Sequence, residues 1–171
     1  MKKLASVVFT GLVISGCSSV VTEQTAAIDQ LTPCNKIQTL LGAYDTRFES
    51  LKTTKVTTKF MDSWSTNYHL VGQQCQITAF DHDNVIYRCQ NSYKEQVAAV
   101  TDHQKAVAFT RQCLLESNWH ESQKESKNSI RTTFVLDENT PVISIYTGKT
   151  LSSLKSWSTS LEIGKSVATK Q

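Results

Sequence analysis

The segment 75–89, CQITAFDHDNVIYRC, limits the architecture more than any other stretch of the chain. Two β-rich runs flank Asp81-His82-Asp83-Asn84. Those four residues have the composition of a turn, because Asp and Asn side chains satisfy nearby backbone amides and tolerate turn geometry. Folded as a hairpin with Ala79 opposite Val85, the segment sets Ile77 against Tyr87 and Cys75 against Cys89. All six side chains then lie on one face, since strand side chains alternate. Directly opposed residues of an antiparallel pair come close enough for a disulfide. This reading joins Cys75 to Cys89 and leaves Cys34 to pair with Cys113. The competing arrangement turns both strand thiols toward helices and pairs them with Cys34 and Cys113 instead.

The flanking sequence supplies helices and further strands. Thr32-Pro33 starts a helix, with Thr32 as N-cap and Pro33 at the first helical position. Ile37, Leu40, Leu41, Tyr44, Phe48 and Leu51 follow at three- and four-residue steps, and Cys34 lies on the same stripe. Residues 56–61 and 64–71 are rich in β-branched and aromatic side chains and read as strands. Ser92-Tyr93-Lys94-Glu95 has the form of a capping box and opens a second helix running to about Glu116. Its stripe is Val97, Val100, Val107 and Leu114, with Ala106, Phe109 and Cys113 beside it. A polar edge strand over 119–125 comes next, then an alternating strand over 130–136, a turn at 137–141 and a return strand over 142–146. A short helical turn over 150–155 precedes a last strand, in which Trp157, Thr159, Leu161 and Ile163 alternate. The fold class is α+β, two helices packed on antiparallel strands. The step from Trp64 to Cys75 equals that from Trp119 to Ile130, which suggests a duplicated helix-plus-strands unit.

The N-terminal residues address the chain rather than fold it. Lys2 and Lys3 precede an apolar run over 4–16, well short of the about 20 residues a membrane-spanning helix needs. A charged start, a short apolar stretch and small residues at its end form a secretory signal. Ile14-Ser15-Gly16-Cys17 resembles the bacterial lipobox, a branched apolar residue and two small ones before a cysteine. The resemblance covers residues 1–19 and implies cleavage before Cys17, with acylation of its thiol. Ser18 follows where an aspartate would retain such a protein in the inner membrane, which implies the periplasmic face of the outer membrane. One buried acyl chain holds a protein only weakly. The three chains usual in such lipoproteins anchor it permanently. The chain therefore divides into a signal peptide (1–16), a lipidated tether (17–31) and a single periplasmic domain (32–171).

Composition narrows the partners. The formal charge is +3, and loss of Lys2 and Lys3 with the signal lowers it to +1. So small a charge excludes the basic field of a nucleic-acid binder. Apart from Cys17, the even set Cys34, Cys75, Cys89 and Cys113 suits two disulfides in an oxidising compartment. A zinc site lacks its usual Cys-x-x-Cys spacing, and no histidine falls at ligand spacing from a cysteine.

Catalytic signatures are missing: no nucleophile elbow, no phosphate-binding glycine loop and no His-Glu-x-x-His helix. Asp81-His82-Asp83 reads as a solvated turn rather than a metal site. His69, His103 and His120 have no sequence partner that makes a triad. Trp64, Tyr68, Trp119 and Trp157 serve either as core filler or as an interface. The expectation is therefore no catalytic residue, no metal and no cofactor. The chain reads as a lipid-anchored, non-enzymatic protein-binding module of the cell envelope. It would be an assembly or secretion accessory, or an inhibitor or immunity protein. The rival readings are an envelope hydrolase, in which a histidine meets an acid and a nucleophile, and a lipoprotein that binds a small ligand or metal.

Overall fold

The computed structural model describes residues 30–165, apart from 59–60, 81–83 and 116–117. The signal peptide, Cys17 and most of the tether lie outside these residues, as do the Asp81-His82-Asp83 turn tip and Glu116. Among the described residues, helix α1 (Pro33–Ala43) leads through a short 3-10 turn (Glu49–Leu51) into four strands. These are β1 (Lys55–Thr57), β2 (Asp62–Ser65), β3 (Gln74–Ala79) and β4 (Val85–Tyr93). Helix α2 (Gln96–Cys113) follows, then β5 (His120–Ser126), β6 (Ser129–Val135), β7 (Val142–Lys149) and β8 (Trp157–Gly164). The strands form one antiparallel sheet in the order β1-β2-β3-β4-β8-β7-β6-β5. Two meanders thus meet at a seam between β4 and β8, paired from Ile86 opposite Gly164 to Tyr93 opposite Trp157. The fold is α+β, mostly sheet, with both helices on one face.

Alternation along the strands explains the layering. In the β3–β4 hairpin Ala79 faces Val85, Ile77 faces Tyr87 and Cys75 faces Cys89. Ile77, Tyr87, Cys89, Leu161, Ile163, Ile143 and Ile145 are completely buried on the helix-covered face. Ile37 and Leu40 of α1 and Phe48 join them from above. The phenol of Tyr87 is satisfied by donating to the Tyr68 carbonyl at 2.7 Å. Cys34 of α1 is bonded to Cys113 at the end of α2, and Cys75 to Cys89.

Local signals failed where long-range pairing outcompeted them. Thr32 does cap α1, accepting from the Asn35 amide at 3.2 Å. The helix nevertheless stops at Ala43, short of the stripe that continues to Leu51. Arg47 and Phe48 take left-handed backbone conformations, and the Phe48 amide donates to Ala43 O at 2.7 Å. That reversal swings Phe48 back into the core. The capping box does not form. Ser92 and Tyr93 belong to β4, where they pair with Ser158 and Trp157, and α2 begins after Glu95 without a side-chain cap. Val97 is 76% exposed. The buried face of α2 is Ala99, His103, Ala106, Val107 and Thr110, which keeps Val107 of the expected stripe, with Leu114 buried just beyond the helix, and turns Val97 outward. Of the described residues in 56–61, Val56 and Thr57 end β1 while Thr58 and Met61 lie outside the strands, and 66–73 is a loop rather than a strand. Residues 150–156 form a non-helical loop, tied by Thr150 Oγ1 donating to Lys155 O at 2.7 Å.

The Cys34–Cys113 bond closes a sequence separation of 79 residues. In the chain-entropy treatment a loop of that size stabilises the folded state by about 4–5 kcal/mol. A Cys34→Ser/Cys113→Ser variant should lower the unfolding free energy by about 2–5 kcal/mol. Urea titration of the two proteins checks this, and a loss below about 1 kcal/mol would show that the α1–α2 contact stands without the bond.

Candidate functional site

With both helices on one side, the opposite face of the sheet stands open. Strand register fixes what it carries. One row across the seam is Ser65, Gln76, Arg88, Glu162, Ser144, Thr133 and Ser122. The neighbouring row is Gln74, Gln90, Ser160, Tyr146, Arg131 and Lys124. At its centre Arg88 Nε lies 3.4 Å from Glu162 Oε1, an ion pair without hydrogen-bond geometry. Toward β1 the face sinks into a depression of about 440 Å³ lined by Val56, Met61, Ser63, Gln76, Arg88 and Gln90.

The other end of the face is cationic and aromatic. Arg131 donates to Ser144 Oγ at 2.8 Å, and its guanidinium sits 4.8 Å above the Tyr146 ring. Tyr146 lies across Gly148, where a Cβ would collide with its hydroxyl, so only glycine permits this posture. Lys124 stands directly opposite Arg131 in the β5–β6 ladder. Like charges in a cross-strand pair are destabilising. Two cations side by side, one of them over a ring that can stack, therefore suit an acidic or aromatic ligand better than they suit the isolated fold.

The four aromatic residues singled out from the sequence divide between the core and the sheet. Trp64, Tyr68 and Trp119 are partly buried and pack against the core. Lys52 Nζ and Lys55 Nζ sit 4.1 and 5.3 Å from the Trp64 ring centroid. Trp157 is half-buried in β8, opposite Tyr93 and Lys149.

The histidines separate into three environments. His120 is exposed at the start of β5. His103 is 3% exposed under the sheet, within 3.2 Å of Thr147 Oγ1 by Nδ1 and 2.9 Å of Thr132 Oγ1 by Nε2. Its tautomer follows from counting protons. Thr159 gives its single hydroxyl proton to the Ala99 carbonyl at 2.8 Å. Thr147 must then donate to Thr159, 2.9 Å away, so His103 Nδ1–H donates to Thr147. Nε2 accepts from Thr132, whose alternative acceptor, Gln123 Oε1, is farther at 3.3 Å. His103 thus clamps α2 to β6, β7 and β8, a role its sequence neighbours did not announce.

His69 is half-buried in the loop between β2 and β3, with Nδ1 3.3 Å from Cys75 Sγ. A histidine does therefore reach a cysteine. Sequence spacing did not mark this approach, because the 66–73 loop folds back over the strand that follows it. Gly72 makes the reversal with φ +72°, its Cα against the Gln90 carbonyl where no Cβ would fit. The structure brings Cys75 to Cys89 and Cys34 to Cys113, while Cys17 lies outside the described residues. No helix among the described residues is long and apolar enough to cross a membrane. In comparisons with known proteins, the chain matches no family model, no curated protein and no solved structure.

Two predictions follow from these contacts. Burial holds the His103 imidazole below its ordinary value of 6.5, with Asp102 and Glu125 opposing that shift. Between the lowered folded value and about 6.5 the unfolded chain binds more protons, so stability falls as pH drops through this window. Urea midpoints at pH 7.5 and 5.5 should fall less for His103→Gln than for the parent, although the variant is weaker at pH 7.5. Equal falls would remove His103 from the acid response. Separately, Lys124→Glu should raise the urea midpoint by turning a like-charge pair into an opposite one. An unchanged or lower midpoint would mean that the pair carries no repulsion.

Proposed function

We propose that the chain is a lipid-anchored envelope lipoprotein acting as a non-enzymatic protein-binding module, and that the open face of its sheet is the binding surface. The observation that carries this reading is the Lys124–Arg131–Tyr146 cluster on a sheet face that neither helix covers. Such a face, polar and cationic with an aromatic platform, suits a partner presenting acidic side chains. The lipobox-like sequence ending at Cys17 supports anchoring at the periplasmic face of the outer membrane, and the disulfides agree with an oxidising compartment. An assembly or secretion accessory and an inhibitor or immunity protein both use a surface of this kind.

A duplicated helix-plus-strands unit is part of the same proposal. The order helix, four strands, helix, four strands supports it, as does the antiparallel meeting of β4 with β8. The Trp64 and Trp119 echo lends no support, because it sets the approach to β3 against the approach to β6. Equivalent strands of two such units would be β3 and β7.

Two experiments test the proposal. Metabolic palmitate labelling should mark the parent and leave Cys17→Ala unmarked, and an unlabelled parent would remove the anchor. A photo-crosslinking residue at Gln76 or Lys124 should give one discrete protein adduct in intact cells, while one at Lys105 on the exposed side of α2 should not. Silence at both open-face positions, or the same adduct from all three, would refute the assignment of the surface.

A further inference from the structure

The two disulfides differ in their surroundings. Cys34–Cys113 ties one helix to the other. Cys75–Cys89 shares its pocket with an imidazole and a phenol. His69 Nδ1 lies 3.3 Å from Cys75 Sγ, and the Tyr87 hydroxyl lies 3.1 Å from Cys89 Sγ. The donor atoms of His69, Cys75 and Cys89 all fall within 4.8 Å of one another, and this is the one group of that kind among the described residues. We infer that, when its Cys75–Cys89 bond is reduced, the chain binds a thiophilic divalent ion of the Zn²⁺ kind through His69, Cys75 and Cys89.

The framework does not depend on the S–S bond. Cys75 and Cys89 are opposed in a ladder that runs from Gln74–Gln90 to Ala79–Val85 and is flanked by β2 and β8. Opening the bond therefore leaves both sulfurs neighbours on one face. Zinc binds thiolate at about 2.3 Å and imidazole at about 2.0–2.1 Å, so tetrahedral ligand atoms sit about 3.5–3.8 Å apart. The His69–Cys75 approach is already close to that span. The loop bearing His69 is held by Lys36 Nζ donating to the His69 carbonyl at 3.3 Å. The Tyr87 hydroxyl, whose one proton goes to the Tyr68 carbonyl at 2.7 Å, lies 3.1 Å from the Cys89 sulfur and can turn that proton toward a thiolate, the kind of outer contact that orients a metal ligand. Three protein ligands leave a fourth position open.

The chemistry balances in two steps. A dithiol reductant gives two electrons and two protons, closes its own disulfide, and converts Cys75–S–S–Cys89 into two thiols. The ion then displaces one proton from each thiol, while neutral His69 coordinates through Nδ1.

The test uses purified protein reduced by a phosphine, which competes for Zn²⁺ less than a chelating dithiol does and is removed under anaerobic conditions before the metal is added, with its fold checked by far-UV circular dichroism. One equivalent of Zn²⁺ is added before iodoacetamide, and the four cysteines are mapped by mass spectrometry. Compared with a metal-free sample labelled alongside, Zn²⁺ should slow alkylation of Cys75 and Cys89 and leave that of Cys34 and Cys113 unchanged. His69→Ala should weaken Zn²⁺ binding at least 10-fold, since losing even an outer-sphere partner costs about 10–100-fold. His69→Gln, closer in size, should behave alike. Alkylation of all four cysteines unchanged by Zn²⁺, slowing at Cys34 and Cys113 as well, or unchanged affinity in both His69 variants would overturn the assignment.

Discussion

The β4–β8 ladder is the constraint on which the rest of the structure depends. It pairs eight residues on each strand and, among the described residues, is the only link within the sheet between the two meanders. On the covered face it supplies Tyr87, Cys89, Leu161 and Ile163, each completely buried. On the open face it supplies Arg88 and Glu162. The core and the surface proposed for binding are thus the two sides of one pair of strands. Gly164 sets how tightly they meet, because a Cβ there would press within 3.0 Å of Ile86 Cγ1.

What lies above the seam is held by few and specific contacts. The buried face of α2 is small and partly polar, so apolar area alone does not position it. The chain of hydrogen bonds from the Ala99 carbonyl through Thr159 and Thr147 to His103 and Thr132 does, by satisfying these hydroxyls and the imidazole in one arrangement. Helix α1 rests on α2 through Cys34–Cys113 and on the β2–β3 loop through Lys36. Because all this weight falls on one side, neither helix covers the polar rows of the other face, in which Gln74, Gln76, Ser122, Lys124 and Arg131 are exposed.

Period-two alternation carried most of what the sequence disclosed. It placed Cys75, Ile77 and Ala79 opposite Cys89, Tyr87 and Val85, and it grouped Thr132 with Phe134 on one face. Both are short-range consequences of pleat geometry. Sheet order was beyond reach, because nothing local says that Tyr93 will pair with Trp157. That same pairing took Ser92 and Tyr93 away from a helix cap that local chemistry favoured. His69 and His103 were invisible for a related reason. One acts through a loop that doubles back and the other through hydroxyls on three strands, so neither leaves a spacing to read. The Lys124–Arg131 opposition was within reach. Both residues sit in segments read as strands, a polar edge strand over 119–125 and an alternating one over 130–136, and a hairpin register over 120–135 would have exposed two cations face to face.

Native-state hydrogen exchange tests the seam most directly. Amides of the central β4–β8 ladder, such as Leu161 and Cys89, should exchange only through global unfolding, with the same free energy as the inner amides of β3 and β7. That result would show one cooperative sheet with one continuous open face. Fast exchange at the seam, with each meander protected to a different degree, would mean that the halves open independently and that the surface spanning them is not a single structural unit.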